Sequence, residues 1–146
     1  MIKNMNWVNK IKLLTIALTL TASISLKAEN SSKATVVKIR GKVVAHIEGQ
    51  KVNLKKGDKI SAKTKIESEA KSFAVITFED KTKLTLGPKS TIIVVNPSTD
   101  KNPGIINLLQ GQIRSKITKP GKMNKYFVNS KAAAIGVRGT EFIAIY

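Results

Sequence analysis

From residue 34 onward, the chain alternates short runs of β-branched and other apolar residues with turn-forming residues. Its first half contains seven runs, at residues 34–40, 42–47, 50–54, 64–68, 72–79, 82–86 and 90–95. Gly, Asp, Asn or Pro stands where most of these runs end, and no helical period persists beyond two turns. Glycine supplies the positive φ that tight hairpin turns need. The pattern predicts an all-β fold built from short antiparallel hairpins.

A polar loop with two prolines, at residues 96–104, separates these runs from a second series. That series lies at residues 105–110, 112–118, 126–130 and 141–146, with a basic loop at 119–125. Two stretches on either side of the polar loop are similar, since KIRGKVVAHI (38–47) and LLQGQIRSKI (108–117) both place a glycine between two strand runs. This internal similarity predicts a stack of similar hairpins. We therefore expect one domain over residues 34–146, arranged as a twisted solenoid-like or sandwich-like stack.

The first 28 residues have the features of a secretory signal peptide. Lys3, Lys10 and Lys12 precede an uncharged apolar run at residues 13–26, and small residues lead to a candidate cleavage position at Ala28. The apolar run is shorter than the ~20 residues that a spanning helix needs. We expect the segment to be removed, which predicts a periplasmic or secreted protein with no stable transmembrane anchor. Retention of the segment as an uncleaved anchor is the alternative.

The chain is strongly basic, with 26 Lys and Arg residues against 9 Asp and Glu residues and a net charge of +17. Residues 1–28 carry four lysines and no acid, so their removal lowers the net charge to +13. Such a charge attracts polyanions, which outside the inner membrane are lipid headgroups, lipopolysaccharide and acidic glycans. The alternative is that lysines on outward strand faces only maintain solubility. Residues 81–146 carry 11 basic and 2 acidic residues, so an anion site is expected there.

The inventory of catalytic residue types is small. The chain has no cysteine and a single histidine, His46, which excludes disulfides, thiolate metal sites and cysteine–histidine pairs. The acids Glu67 and Glu69 alternate at a strand end, and Glu79 and Asp80 lie in a turn. A glycosidase needs an acid pair across a cleft and aromatic platforms, but the only tryptophan falls in the signal segment. We predict no enzymatic activity, no cofactor and no metal, and a small hydrolase is the least supported reading.

The stretch AAAIGVRGTEF, at residues 132–142, raises a separate question. Its Gly136 and Gly139 match the spacing of a GxxG nucleic-acid clamp, but that clamp joins two helices and a strand follows here. A phosphate-binding loop would need Lys followed by Ser or Thr at a helix start, which is missing. We expect a turn instead, with the alanines under a neighbouring strand, the two glycines reversing the chain, and Arg138 paired with Glu141. The alternative is that Arg138 is exposed and binds an anion or a partner.

Four stretches together resemble the FecR domain, a periplasmic all-β module named for a protein that relays iron–siderophore signals across the inner membrane. They are LKKGDKI (54–60), SFAVITFEDKTKLTLGPKSTIIV (72–94), LLQGQIRSKI (108–117) and AAAIGVRGTEF (132–142). The resemblance extends over most of residues 34–142 and implies a solenoid-like stack of strands without catalysis. Relay proteins of the family bind a sigma factor through a cytoplasmic segment, whereas only 12 residues precede the apolar run here. We therefore do not expect the sigma-factor role.

Two functions remain open at this point. The first is a non-catalytic exported module that binds another envelope protein or relays a signal by contact. The second is a direct binder of anionic envelope polymers through the basic second half, with no role for nucleic acid. The candidate interaction residues are Arg114, Lys116, Lys119, Lys122 and Lys125. The motif residues with an expected structural role are Gly136, Arg138, Gly139, Thr140 and Glu141.

Overall fold

A computed structural model describes residues 34–99, 102–117, 126–137 and 141–146. The predicted signal peptide lies outside these ranges. The described residues form strands and connections, and none of them belongs to a helix of the length and hydropathy that a bilayer crossing requires. The strands are β1 (Ala34–Arg40), β2 (Val43–Ile47), β3 (Gln50–Asn53), β4 (Lys59–Ile60), β5 (Thr64–Ser68), β6 (Phe73–Phe78), β7 (Lys83–Leu86), β8 (Thr91–Asn96), β9 (Gly104–Gln110), β10 (Gln112–Lys116), β11 (Tyr126–Asn129), β12 (Ala134–Val137) and β13 (Glu141–Ile145).

The strands form two sheets that pack face to face as a sandwich-like stack. The six-stranded sheet has the order β13-β10-β7-β6-β1-β4, and the seven-stranded sheet has the order β12-β11-β9-β8-β5-β2-β3. Buried and accessible residues alternate along most strands, as in β6, where Ala74, Ile76 and Phe78 are buried. Alternation with period two places one face of each sheet inward. The predicted all-β fold class is therefore confirmed.

The core between the sheets consists mainly of aliphatic side chains. Ile66 and Ile92 of the seven-stranded sheet and Ile76 and Leu84 of the six-stranded sheet have no exposed surface. Tyr126 is also buried, and its ring lies near Phe78 and Phe142, with centroid separations of 6.1 and 5.8 Å. Burying side chains of this size stabilises each by about 1.5 to 3 kcal/mol relative to exposure. Without disulfides, this core is the main source of stability.

The chain crosses between the sheets at one end of the sandwich through small residues. Gly41 joins β1 to β2 with φ +74, and Gly111 joins β9 to β10 with φ +87. Behind each glycine lies a serine whose Oγ accepts the next backbone N–H: Ser72 accepts from Lys42, and Ser90 accepts from Gln112, both at 2.9 Å. The two similar stretches of the sequence, at residues 38–47 and 108–117, thus form the same kind of crossing between the sheets.

Three details of the strand pattern differ from expectation. The chain forms two additional strands: the two-residue β4, which pairs with the start of β1, and β12, which pairs with β11. Strand β11 pairs with β9 in parallel, whereas all the other pairs are antiparallel in the part of the chain described here. Parallel pairing needs a longer connection, and residues 111–125 between the two strands include β10 in the opposite sheet.

Candidate functional site

Two of the five candidate basic residues, Arg114 and Lys116, lie on strand β10 of the six-stranded sheet. Both are exposed, and they alternate with the buried Ile113 and Ser115, so they point outward. The Arg114 guanidinium donates a hydrogen bond through Nε to the Glu141 carboxylate of β13. This hydrogen bond is the main reason why the pKa of Glu141 lies below its ordinary value, and the positive charges of Arg114 and Lys116 lower that pKa further. The pair is open to solvent, so it contributes little to stability.

The other three candidates, Lys119, Lys122 and Lys125, lie outside the described residues. The structure adds a basic residue that the sequence interpretation missed, because Lys83 of β7 stands directly opposite Lys116 in the ladder between β7 and β10. Like charges directly opposite each other destabilise a sheet. No local signal in the sequence predicts this contact, since β7 and β10 are separated by two strands of the other sheet.

The glycine motif near residue 136 is not a turn at its first glycine, which corrects the sequence interpretation. Gly136 lies within β12, where it pairs with Phe127 of β11. A Cβ at this position would meet only the Phe127 ring, at 3.4 Å. The expectation for the alanines is also wrong, because residues 132–134 are exposed rather than covered by a strand.

The rest of the motif falls outside the described residues, namely Arg138, Gly139 and Thr140. Glu141 begins β13, and its described partner is Arg114. A reversal at residues 138–140 and a contact between Arg138 and Glu141 stay predictions. The structure therefore does not assign a role to Arg138.

A buried carboxylate, Asp80, organises the turn between β6 and β7. Its Oδ1 accepts a hydrogen bond from the Thr82 backbone N–H at 2.9 Å, and its Oδ2 accepts one from the Thr82 hydroxyl at 2.8 Å. The Ser98 hydroxyl also donates to Oδ2 and connects this turn with the loop that follows β8. Burial and the nearby charge of Asp80 raise the pKa of Tyr126 well above its ordinary value. This cluster holds connections together and offers no open position to a substrate.

The only histidine belongs to a charged cluster on the outward face of the seven-stranded sheet. His46 Nε2 lies 3.0 Å from Glu67 Oε2, and Lys65 Nζ lies 2.6 Å from Glu67 Oε1. Hydrogen bonds, first from Lys65 and then from His46, lower the pKa of Glu67 from 4.5 to about 2. Glu67 and Glu69 border an open groove of about 560 Å³, and Glu69 is paired with Lys42 at 2.7 Å. Cations therefore engage both acids.

The described ranges contain no cluster of three or more His, Cys, Asp or Glu residues that could hold a metal ion. Acids in these ranges form ion pairs at the surface, as Glu69 does with Lys42, or accept hydrogen bonds, as Asp58 does from the Lys55 backbone N–H and Asp80 does in its buried network.

Comparison with known proteins identifies one family. The family described as FecR protein matches residues 64–146, from β5 to the last residue of the chain. A search of the curated proteins and a search of the solved structures gave no match. The matched segment holds the polar loop, the crossing at Gly111 and the residues of the glycine motif. Because it comprises more than half of the chain, the protein belongs to the FecR family.

Proposed function

We propose that the protein is an exported, non-catalytic module that relays a signal by contact with another envelope protein. The observation that carries the proposal is the FecR match over residues 64–146. FecR is a family of periplasmic, signalling-related regulators, and signalling of this kind depends on interactions between proteins. Export itself is inferred from the basic and apolar pattern of residues 1–28.

The described architecture supports a role in contact rather than in chemistry. Each sheet turns one face to the shared core and the other to solvent, and the strongly basic face of β10 is open. Strand β13 occupies one edge of the six-stranded sheet, with Ile143 and Ile145 64% and 76% exposed. Apolar side chains at an accessible strand edge are typical of surfaces that bind other proteins.

A photo-crosslinking experiment in intact cells tests the proposal. A photoreactive amino acid replaces Ile145 at the sheet edge, Thr35 on the outward face of the six-stranded sheet or Lys51 on that of the seven-stranded sheet, all of them exposed. We expect one of these positions to give a discrete protein adduct that persists at about 1 M salt, where the Debye length falls to ~3 Å. Adducts that disappear with salt, or no discrete adduct from any position, would contradict contact signalling.

Intact-mass measurement of the exported protein tests the inferred export separately. We expect a mass that corresponds to a chain without residues 1–28, because the apolar run is too short for a stable anchor. A mass that includes residues before Leu26 would contradict removal of the signal peptide. The proposed contact role would then still be tested by the crosslinking experiment alone.

A further inference from the structure

The outward face of the six-stranded sheet carries basic side chains in two groups, one on each side of shorter side chains. One group consists of Arg114 and Lys116 on β10 with Lys83 on β7. The other consists of Lys38 and Arg40 on β1 with Lys59 on β4. All six side chains are exposed. We call these two groups the basic walls.

Two rows of short side chains lie between the walls, and Phe73 of β6 bounds them at one end. Phe73 lies opposite Arg40, and Lys38 Nζ lies 5.6 Å from the centre of its ring. The register places Thr85 of β7 opposite both Arg114 and Val75, and Val75 opposite Lys38. The neighbouring row runs from Lys83 through Thr77 to Thr35 and then to Lys59. Thr77, Thr85 and Val75 are only partly exposed, as expected for a floor between longer neighbours. From β10 to β1 the distance is three strand spacings, or about 14 Å. The face is therefore a shallow trough that runs parallel to the strands.

The charge of this trough is largely uncompensated. Among the described acids, Glu141 lies on this face at the outer edge, where it binds Arg114, and Glu79 lies in the turn at one end of the trough. Lys83 and Lys116 face each other directly, an arrangement that costs stability. On the opposite sheet Glu67 engages Lys65 and Glu69 engages Lys42, while Lys51 is exposed there without a described acid opposite it in the ladder. The positive charge is therefore denser on the outward face of the six-stranded sheet.

We infer that this trough binds one chain of a linear acidic polysaccharide, an interaction that goes beyond the contact signalling proposed above. Cations on both sides match carboxylates along an extended polymer, while the hydroxyls of Thr35, Thr77 and Thr85 can donate and accept hydrogen bonds with sugar hydroxyls. A flat lipid surface would reach only the tips of the walls. A peptide could not extend the sheet here, because the floor strands β6 and β7 already have neighbours on both sides.

Binding of polygalacturonate to the purified protein tests the inference, with neutral dextran, polyglutamate and vesicles of phosphatidylglycerol and phosphatidylcholine as competing probes. The trough variant combines Lys38→Gln, Lys83→Gln and Lys116→Gln. A matched control combines Lys51→Gln, Lys56→Gln and Lys131→Gln, which removes the same charge from exposed positions outside the trough. Thermal unfolding of both variants checks that they remain folded.

We expect the trough variant to lose at least about tenfold in affinity for polygalacturonate and the control to stay within about threefold. Each contact with a single-chain polyanion contributes ~0.7 to the slope of log affinity against log salt. The loss of three lysines should therefore make this slope about 2 smaller in magnitude, and only in the trough variant. Equal losses in the two variants would overturn the inference, because they would reflect net charge rather than a site. Tighter binding to polyglutamate or to vesicles than to polygalacturonate would overturn the choice of a polysaccharide.

A second pair of variants tests the floor of the trough without a change in charge. Thr77→Val and Thr85→Val keep the side-chain shape and remove the hydroxyls. We expect the double variant to weaken binding by about fivefold, which corresponds to two lost hydrogen bonds at the lower end of their usual cost. An unchanged affinity would place the polymer on the tips of the walls and contradict binding within the trough.

Discussion

Replacement of Gly111 by alanine should be among the most destabilising small changes in the described part of the protein. Gly111 has a φ of +87, and a Cβ there would lie 2.6 Å from the Ser90 Cα and 2.7 Å from the Lys89 carbonyl oxygen. These atoms belong to the backbone and cannot move aside as a side-chain end can. A hydrogen bond also holds Gly111 in place between β9 and β10, because the Gly111 N–H donates to the Tyr146 carbonyl at 2.7 Å.

The expected loss has two parts. The left-handed backbone conformation costs an alanine about 1 to 2 kcal/mol, and overpacking against fixed atoms costs about 1 to 3 kcal/mol more. Gly111→Ala should therefore lower the free energy of unfolding by about 2 to 5 kcal/mol, a large share of the 5 to 15 kcal/mol typical of domains. Urea unfolding followed by far-ultraviolet circular dichroism measures this loss.

The matched control is Gly49→Ala, in the turn between β2 and β3. Gly49 has a similar φ of +80, but a Cβ there would meet no atom within 4 Å. This control carries the conformational cost alone, so the difference between the two variants reports the close approach to Ser90 and Lys89. Equal losses in Gly111→Ala and Gly49→Ala would refute the packing explanation.

Three further outcomes are expected. Glu67 should stabilise the fold by about 1 kcal/mol above pH 4.5, because its carboxylate is paired but partly exposed. This contribution to the unfolding free energy should disappear as the pH falls from 4.5 towards 2, and Glu67→Gln should abolish this part of the pH dependence. Tyr126→Phe should leave the unfolding free energy unchanged or raise it, since the buried hydroxyl has no hydrogen-bond partner among the described residues, and a clear loss would reveal a partner. Asp80→Ala should cost about 2 to 4 kcal/mol in urea unfolding because three donors lose their acceptor, whereas a cost below that of Thr82→Val would contradict the network.

The sequence predicts most strands well because their signal is local. The runs at residues 34–40 and 64–68 coincide with β1 and β5, since alternation and β-branching determine a strand over a few residues. Strand β12 was missed because Ala134 and Gly136 have low strand propensity, and pairing with β11 overrides it. β4 has only two residues, too few for any pattern.

The basic face was only partly predictable. Alternation within β10 is enough to place Arg114 and Lys116 on one side of a strand. Their neighbours across the sheet depend on which strands pair, and the order β10-β7-β6-β1 joins segments far apart in sequence. Lys38 and Lys83 therefore enter the trough through tertiary contacts that no local pattern reports.

The first four strands shield the part of the chain that matches the FecR family. β1 pairs with β6, and β2 pairs with β5, so both sheets are extended on the same side by residues that precede the match. A polypeptide that began at residue 64 would expose the free backbone groups of β5 and β6 side by side. Such unprotected edges invite strand exchange with other copies and amyloid-like association. We expect this shortened polypeptide to aggregate, because the early strands normally cover the edges of β5 and β6 and so prevent this association.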